Sequence, residues 1–225
     1  MIEVKNLVKT YVNGPIETHV LRGIDLKVTD GEWVAIMGRS GAGKSTLLYQ
    51  MSLLDEPTDG LVVIDGREVH TLSEQEKMRF RLYTFGYVFQ DYALLPDLTA
   101  LENVALPLLM EAMEPAQAAG KAKTALERVG LSHRLGNLPS ELSGGEQQRA
   151  SIARAIAERP AILFADEPTA NLDRESSNVI MKLFKELHRE GQTIVMVTHE
   201  DEYAAAAGRV VHLDDGRIVS EKANV

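Results

Sequence analysis

The stretch Gly38-Arg39-Ser40-Gly41-Ala42-Gly43-Lys44-Ser45, with Thr46 after it, limits this chain more than any other. It fits G-x-x-x-x-G-K-[ST], in which glycines let successive backbone N–H groups curl around phosphate oxygens. Lys44 brings a point charge to β and γ phosphates, and Ser45 offers its hydroxyl to Mg²⁺. Such a loop joins a strand to a helix N-terminus, and the flanks comply. Trp33–Met37 reads as a short buried strand, and residues 45–51 are helix formers. The loop implies nucleotide binding and leaves open what the energy drives.

A chain of 225 residues suffices for one α/β domain with a subdomain. With 44% apolar and 25% charged residues, its composition is that of a soluble globular protein. A net charge of −9 argues against coating nucleic acid, which relies on clustered Lys and Arg. The absence of cysteine excludes a disulfide framework and a thiolate metal site or nucleophile, and is compatible with a reducing cytoplasm. Met1-Ile2-Glu3-Val4-Lys5 holds no apolar signal region, so no secretory leader is expected. Apolar stretches such as residues 104–110 are far short of a membrane span. Work at a membrane would need a partner.

Residues 2–4, 9–11 and 21–28 read as strands of a small antiparallel sheet, and Asp65-Gly66 marks a hairpin. Residues 85–89 form another strand candidate, ending at Gln90. Beyond it the reading turns helical. Thr99 with Glu102 fits a capping box opening a helix over 101–113, which Pro107 should kink; Pro115 opens a second, closed by Gly130. A helical subdomain over 91–140 is therefore expected within a core formed by 1–90 and 141–225. In that core, helices at 144–158 and 176–190 alternate with strands at 161–165 and 193–198. A helix at 204–207 and a strand pair around residues 214–216 follow. Apolar strands alternating with helices predict a mostly parallel sheet covered on both faces.

The apolar run 162–165 delivers Asp166 and Glu167 at a strand end, where α/β folds place ligands. Asp166 suits a water-mediated hold on Mg²⁺, and Glu167 can poise a water against a γ-phosphate. Alone, the pair also fits the start of a helix, where the dipole favours acids. In Leu142-Ser143-Gly144-Gly145-Glu146-Gln147-Gln148, Ser143 reads as an N-cap, and Gly144 and Gly145 permit close approach. That is either an ordinary capped helix or an anion site.

Lying between the two nucleotide motifs, this segment resembles the signature of ABC-type ATPases. The chain as a whole resembles an ABC transporter ATP-binding subunit. The resemblance covers nearly the whole length and implies a P-loop NTPase with a mostly parallel central sheet, an antiparallel β subdomain and an inserted helical subdomain. Tyr11 matches the family's adenine-stacking aromatic, and Gln90 the glutamine that touches Mg²⁺ or the attacking water. Asn171-Leu172-Asp173 matches the loop that crosses the dimer interface, and His199 the histidine that meets the γ-phosphate. His19, His70, His133, His188 and His212 are read as turn, face or cap residues.

The resemblance implies an ATPase that binds two ATP molecules head to tail in a dimer. Each phosphate loop would be completed by Ser143 and Gly145 of the opposite chain, with Gly144 and Glu146 in the same segment. Lys44, Gln90, Glu167 and His199 would be catalytic, and Ser45, Gln90 and Asp166 would hold Mg²⁺. The helical subdomain, near residues 92–98, would meet transmembrane permease subunits at the inner face of the membrane; no nucleic-acid partner is expected. Residues 99–108 and 166–173 look most like the branch with lipoprotein-releasing, macrolide-exporting and cell-division ATPases. That branch implies export or extraction, with control of a membrane partner without transport as the alternative. Arg39 and Met51-Ser52-Leu53-Leu54-Asp55 depart from the commoner family forms, and neither departure touches a phosphate-contacting group.

Overall fold

The computed structural model describes residues 1–224, which divide into two compact units, residues 1–78 with 191–224, and residues 79–190. In chain order the first elements are β1 (Ile2–Asn13), β2 (Ile16–Val28), β3 (Trp33–Met37), α1 (Lys44–Met51), β4 (Asp59–Ile64), β5 (Arg67–Glu68) and α2 (Glu74–Tyr83). They are followed by β6 (Phe85–Val88), α3 (Ala100–Met110), α4 (Pro115–Arg128), α5 (Gly144–Ile156), β7 (Ile162–Asp166) and α6 (Arg174–Arg189). The chain ends with β8 (Thr193–Val197), α7 (Asp201–Ala204), β9 (Arg209–Asp214) and β10 (Arg217–Ala223).

In the first unit an antiparallel sheet runs in the order β2-β1-β4-β5. The three short strands expected before residue 30 are two long ones. Register shifts between Val4 and Leu7, and between Lys9 and Thr10, break the two-residue alternation that would have marked β1 as continuous. The same unit holds β3, buried along its whole length and parallel to both β8 and β9, with β10 antiparallel to β9. Parallel sheets carry helices on both faces and leave their inner strands no wet face, which is why WVAIM is an unbroken apolar run and IVMV follows Thr193 in β8. The helix expected over 204–207 is the single turn α7, ending at Ala204.

In the second unit β6 pairs parallel with β7. Thr99 caps α3 through the expected box: its hydroxyl accepts the Glu102 N–H, and the Glu102 carboxylate accepts the Thr99 N–H at 2.8 Å. The helix runs through Pro107 and ends at Met110, three residues early, because Ala112 turns left-handed at φ 59. The N–H groups of Ala112 and Met113 return to the Leu109 and Leu108 carbonyls, which closes the end. Gly130 (φ 76) ends α4 in the same way, with its N–H on the Glu127 carbonyl and that of Leu131 on the Leu126 carbonyl. Helix α4 buries Ala118, Ala122, Ala125 and Leu126 on one stripe. Helix α2 was not expected, yet Ser73 and Glu76 form a capping box at its start, a signal present in Ser73-Glu74-Gln75-Glu76.

Candidate functional site

In the first unit the phosphate loop leaves the carboxyl end of β3 and enters α1. Gly38 sits at φ 153, and a Cβ there would lie 2.2 Å from the Leu213 carbonyl oxygen, so the strand exit tolerates no side chain. Gly43, at φ 99, would drive a Cβ to 2.9 Å from the Val20 carbonyl. The loop thus threads between two strands, leaving Arg39, Ser40 and Gly41 exposed and Ala42 buried. Lys44 is only 7% exposed. Its ammonium folds back across the loop to the Gly38 and Arg39 carbonyls at 2.9 and 3.2 Å. Ser45 and Thr46 open α1, where backbone N–H groups point out of the helix end. Ile36 of β3 lies opposite Val197 of β8, so Gly38 and His199 emerge at the same carboxyl edge of two neighbouring strands. His199 is exposed there.

Tyr11 belongs to a polar knot in this unit. Its hydroxyl donates to Asp55 Oδ2 at 2.7 Å and bonds the Thr46 hydroxyl. Lys9, two residues earlier on β1, donates to Asp55 Oδ1 at 2.8 Å and to the Glu56 carbonyl at 2.5 Å. The Lys9 ammonium also lies 4.7 Å from the Tyr11 ring centre. Gln50, fully buried on α1, donates to Asp55 Oδ2 at 3.0 Å. Burial and the bond to Asp55 push the Tyr11 phenol up to about 12. Burial opposes ionisation of Asp55, but the bonds from Lys9 and Tyr11 outweigh it and hold the carboxyl below its ordinary value. The sequence assigned no role to Lys9, Gln50 or Asp55, since the partners they meet lie up to 47 residues away.

In the second unit β7 carries its apolar run to Asp166, which is 4% exposed. Glu167 follows in the left-handed region at φ 43, a conformation that costs a non-glycine residue about 1 kcal/mol or more and is found where surroundings enforce it. Val88 of β6 faces Ala165 of β7, so Gln90 and Glu167 lie two residues beyond a matched pair, at one carboxyl edge. Buried Gln148 ties that edge together: its side-chain amide donates to the Pro168 carbonyl at 2.8 Å and the Phe89 carbonyl at 3.5 Å. The Asn171 side chain donates to the Gln90 carbonyl at 3.0 Å.

The segment around Ser143 builds the N-terminus of α5 by a third capping box. The Ser143 hydroxyl accepts the Glu146 N–H at 3.3 Å, and the Glu146 carboxylate accepts the Ser143 N–H at 2.8 Å. Arg134 holds the other carboxylate oxygen at 2.9 Å. The Ser143 N–H and the Arg134 guanidinium keep the Glu146 carboxyl below the usual glutamate range. A Cβ on Gly144 would lie 2.9 Å from the Tyr92 hydroxyl, and one on Gly145 2.7 Å from the Ser176 hydroxyl. Asp173 caps α6 and bonds the Ser176 N–H at 2.9 Å and its hydroxyl at 2.8 Å. Asp173 and Gly145 therefore meet at one serine. The Ser176 N–H bond lowers the Asp173 carboxyl.

A family model described as ABC transporter matches residues 21–170. The chain is 48% identical to an uncharacterized ABC transporter ATP-binding protein of Methanocaldococcus jannaschii, over 97% of this chain and 98% of that protein. It is 47% identical to the lipoprotein-releasing system ATP-binding protein LolD of Geobacter metallireducens, over 98% and 99%. It is 46% identical to the macrolide export ATP-binding/permease protein MacB of Pasteurella multocida, of whose length it spans only 34%. A solved ATP-binding cassette in a dimeric, post-hydrolysis state bound to ADP and Pi superposes with a TM-score of 0.94 at 40% identity, covering 100% of this chain and 99% of that one.

Proposed function

The chain belongs to the ABC transporter family of ATP-binding proteins, and from that premise we propose that it hydrolyses ATP in a head-to-tail dimer to power export or extraction of a substrate by membrane subunits. The observation that carries the reading is the end of β7. A fully buried strand delivers a buried Asp166 and then a left-handed Glu167, on an edge that Gln148 and Asn171 hold in place. Non-glycine residues held in the left-handed region cluster at active sites, which supports reading Glu167 as a group placed for chemistry.

In this reading the loop N–H groups and Lys44 bind the β and γ phosphates, exchanging the lysine's present carbonyl partners for phosphate oxygens. Glu167 orients the attacking water and takes its proton, and His199 and Gln90 line the γ-phosphate end. Tyr11 stacks on the base. Ser143 and Gly145 of the second chain close over the nucleotide; the Ser143 hydroxyl, which accepts from the Glu146 N–H, keeps its own proton to donate. Ser45, Gln90 and Asp166 offer a hydroxyl, an amide and a carboxylate oxygen, a donor set that suits Mg²⁺. Mg²⁺ usually takes one or two protein carboxylates and draws its other ligands from phosphate and water. When bound, the ion neutralises phosphate charge.

Relatives named for lipoprotein release and macrolide export support outward or extracting transport. Among the described residues no helix is long and apolar enough to cross a membrane. In this reading the helical segment 91–140 passes the work to membrane subunits at the inner face of the membrane. The test is Glu167→Gln. ATP binding should persist, turnover should fall about a hundredfold or more, and ATP-bound dimers should accumulate on size exclusion. Turnover near wild type would remove Glu167 as base.

A further inference from the structure

We propose that Asp55 is a positioning residue for nucleotide recognition, holding the Tyr11 ring at a set distance from the phosphate loop. This rests on the reading of Tyr11 as the base-stacking residue. Asp55 receives three side-chain bonds: from Tyr11 and Lys9 on β1, and from Gln50 on α1, the helix that the phosphate loop opens. Its own backbone N–H returns to the Tyr49 carbonyl at 3.3 Å. The Tyr11 hydroxyl also reaches Thr46, at the start of the same helix. A tyrosine on a strand near its hairpin end would otherwise be free to swing about two torsions; here its phenol is tied to the element that carries the phosphates.

The geometry also sets which side of the ring a base can use. The Lys9 ammonium lies 4.7 Å from the ring centre and is itself tied down by Asp55 and the Glu56 carbonyl. A desolvated cation over an aromatic face holds that face by its quadrupole. Tyr11 remains 42% exposed, so a purine has the opposite face to stack on. Asp55 therefore does two things at once. It fixes the hydroxyl, and it keeps the lysine over the ring. Base stacking and phosphate holding become one rigid ruler, matched to the length of a nucleoside triphosphate and indifferent to inorganic phosphate chains.

That difference supplies the test. Binding of ATP and of inorganic tripolyphosphate to the full chain is measured by calorimetry for wild type, Asp55→Asn, Tyr11→Phe, Tyr11→Ala and the Asp55→Asn/Tyr11→Ala double variant. Stacking of one base on an aromatic accounts for about five- to a hundredfold in affinity, and Tyr11→Ala should lose an amount in that range for ATP. Asp55→Asn should weaken ATP by about three- to tenfold, a part of that stacking loss. Tripolyphosphate should stay within experimental error of wild type, and the Asp55 change should have no further effect once Tyr11 is alanine. In steady state the loss should appear in KM, with kcat at saturating ATP retained. Tyr11→Phe, which leaves the Lys9 and Gln50 bonds to Asp55 in place, should also weaken ATP and not tripolyphosphate; it keeps the test valid if Asp55→Asn folds poorly. Equal weakening of both ligands, or an Asp55 effect that persists in the Tyr11→Ala background, overturns the proposal. If Tyr11→Ala weakens ATP while Asp55→Asn and Tyr11→Phe do not, only the positioning role falls. If Tyr11→Ala itself binds ATP as wild type does, the stacking reading falls and takes this proposal with it.

Discussion

Glu146 shows how one side chain serves two local needs. One carboxylate oxygen satisfies the Ser143 N–H at the start of α5, and the other accepts from Arg134 twelve residues back. Both contacts favour the charged form, so the folded carboxyl titrates below the ordinary value of 4.5. The unfolded chain then binds the proton first, and stability rises with pH through that interval. The contribution is complete above the unfolded value and is lost as pH falls through the depressed folded one. Glu146→Gln should therefore unfold less steeply than wild type below about pH 4.5 in acid titrations followed by circular dichroism; parallel acid limbs would refute the linkage. The box itself was legible, since Ser143 and Glu146 stand three apart. Arg134 was not, because nothing in a local pattern says which cation a carboxylate will meet.

Elements depend on side chains that finish their ends. Asn103, on the first turn of α3 and 1% exposed, accepts the Leu95 N–H at 2.7 Å. Its amide donates to the Leu95, Leu98 and Thr99 carbonyls at 3.1, 2.8 and 3.1 Å. The turn before the helix is thereby folded onto one residue. Asn103→Ala should destabilise the protein by about 2–3 kcal/mol, because it orphans several backbone groups with little access to water. Urea titration checks this, and a loss under about 1 kcal/mol would mean that water replaces the amide. By contrast, the cap at Thr99 was evident from Thr99 and Glu102 alone. Helix α2 was missed for want of an apolar stripe: Glu74–Tyr83 is mostly polar, and only Lys77 is buried, paired with Glu56 and with Glu74.

For the whole molecule the decisive expectation is the ATP-dependent dimer. Ser143→Arg should leave ATP binding by single chains intact and abolish ATP-induced dimers of the Glu167→Gln background in analytical ultracentrifugation. Ser143→Ala removes the same N-cap, at a cost of about 1 kcal/mol, and the hydroxyl offered to the nucleotide, without adding bulk, so it should weaken the dimer less than the arginine variant. Dimers persisting in the arginine variant would refute the in-trans role. Much of the fold was readable: unbroken apolar runs marked β3, β7 and β8, and Gly130 and Pro115 marked the limits of α4. The sequence by itself determined which chemical groups this protein brings to a nucleotide. The glycine loop, the Asp166–Glu167 pair and the Ser143 cap satisfy their geometry within a few residues, so spacing reveals them. Tertiary structure alone decided how those groups are held. The Gln148 clamp and the bonds from β1 to Asp55 join residues 20 to 59 positions apart, and such bonds exist only once strand order and register have brought the partners together.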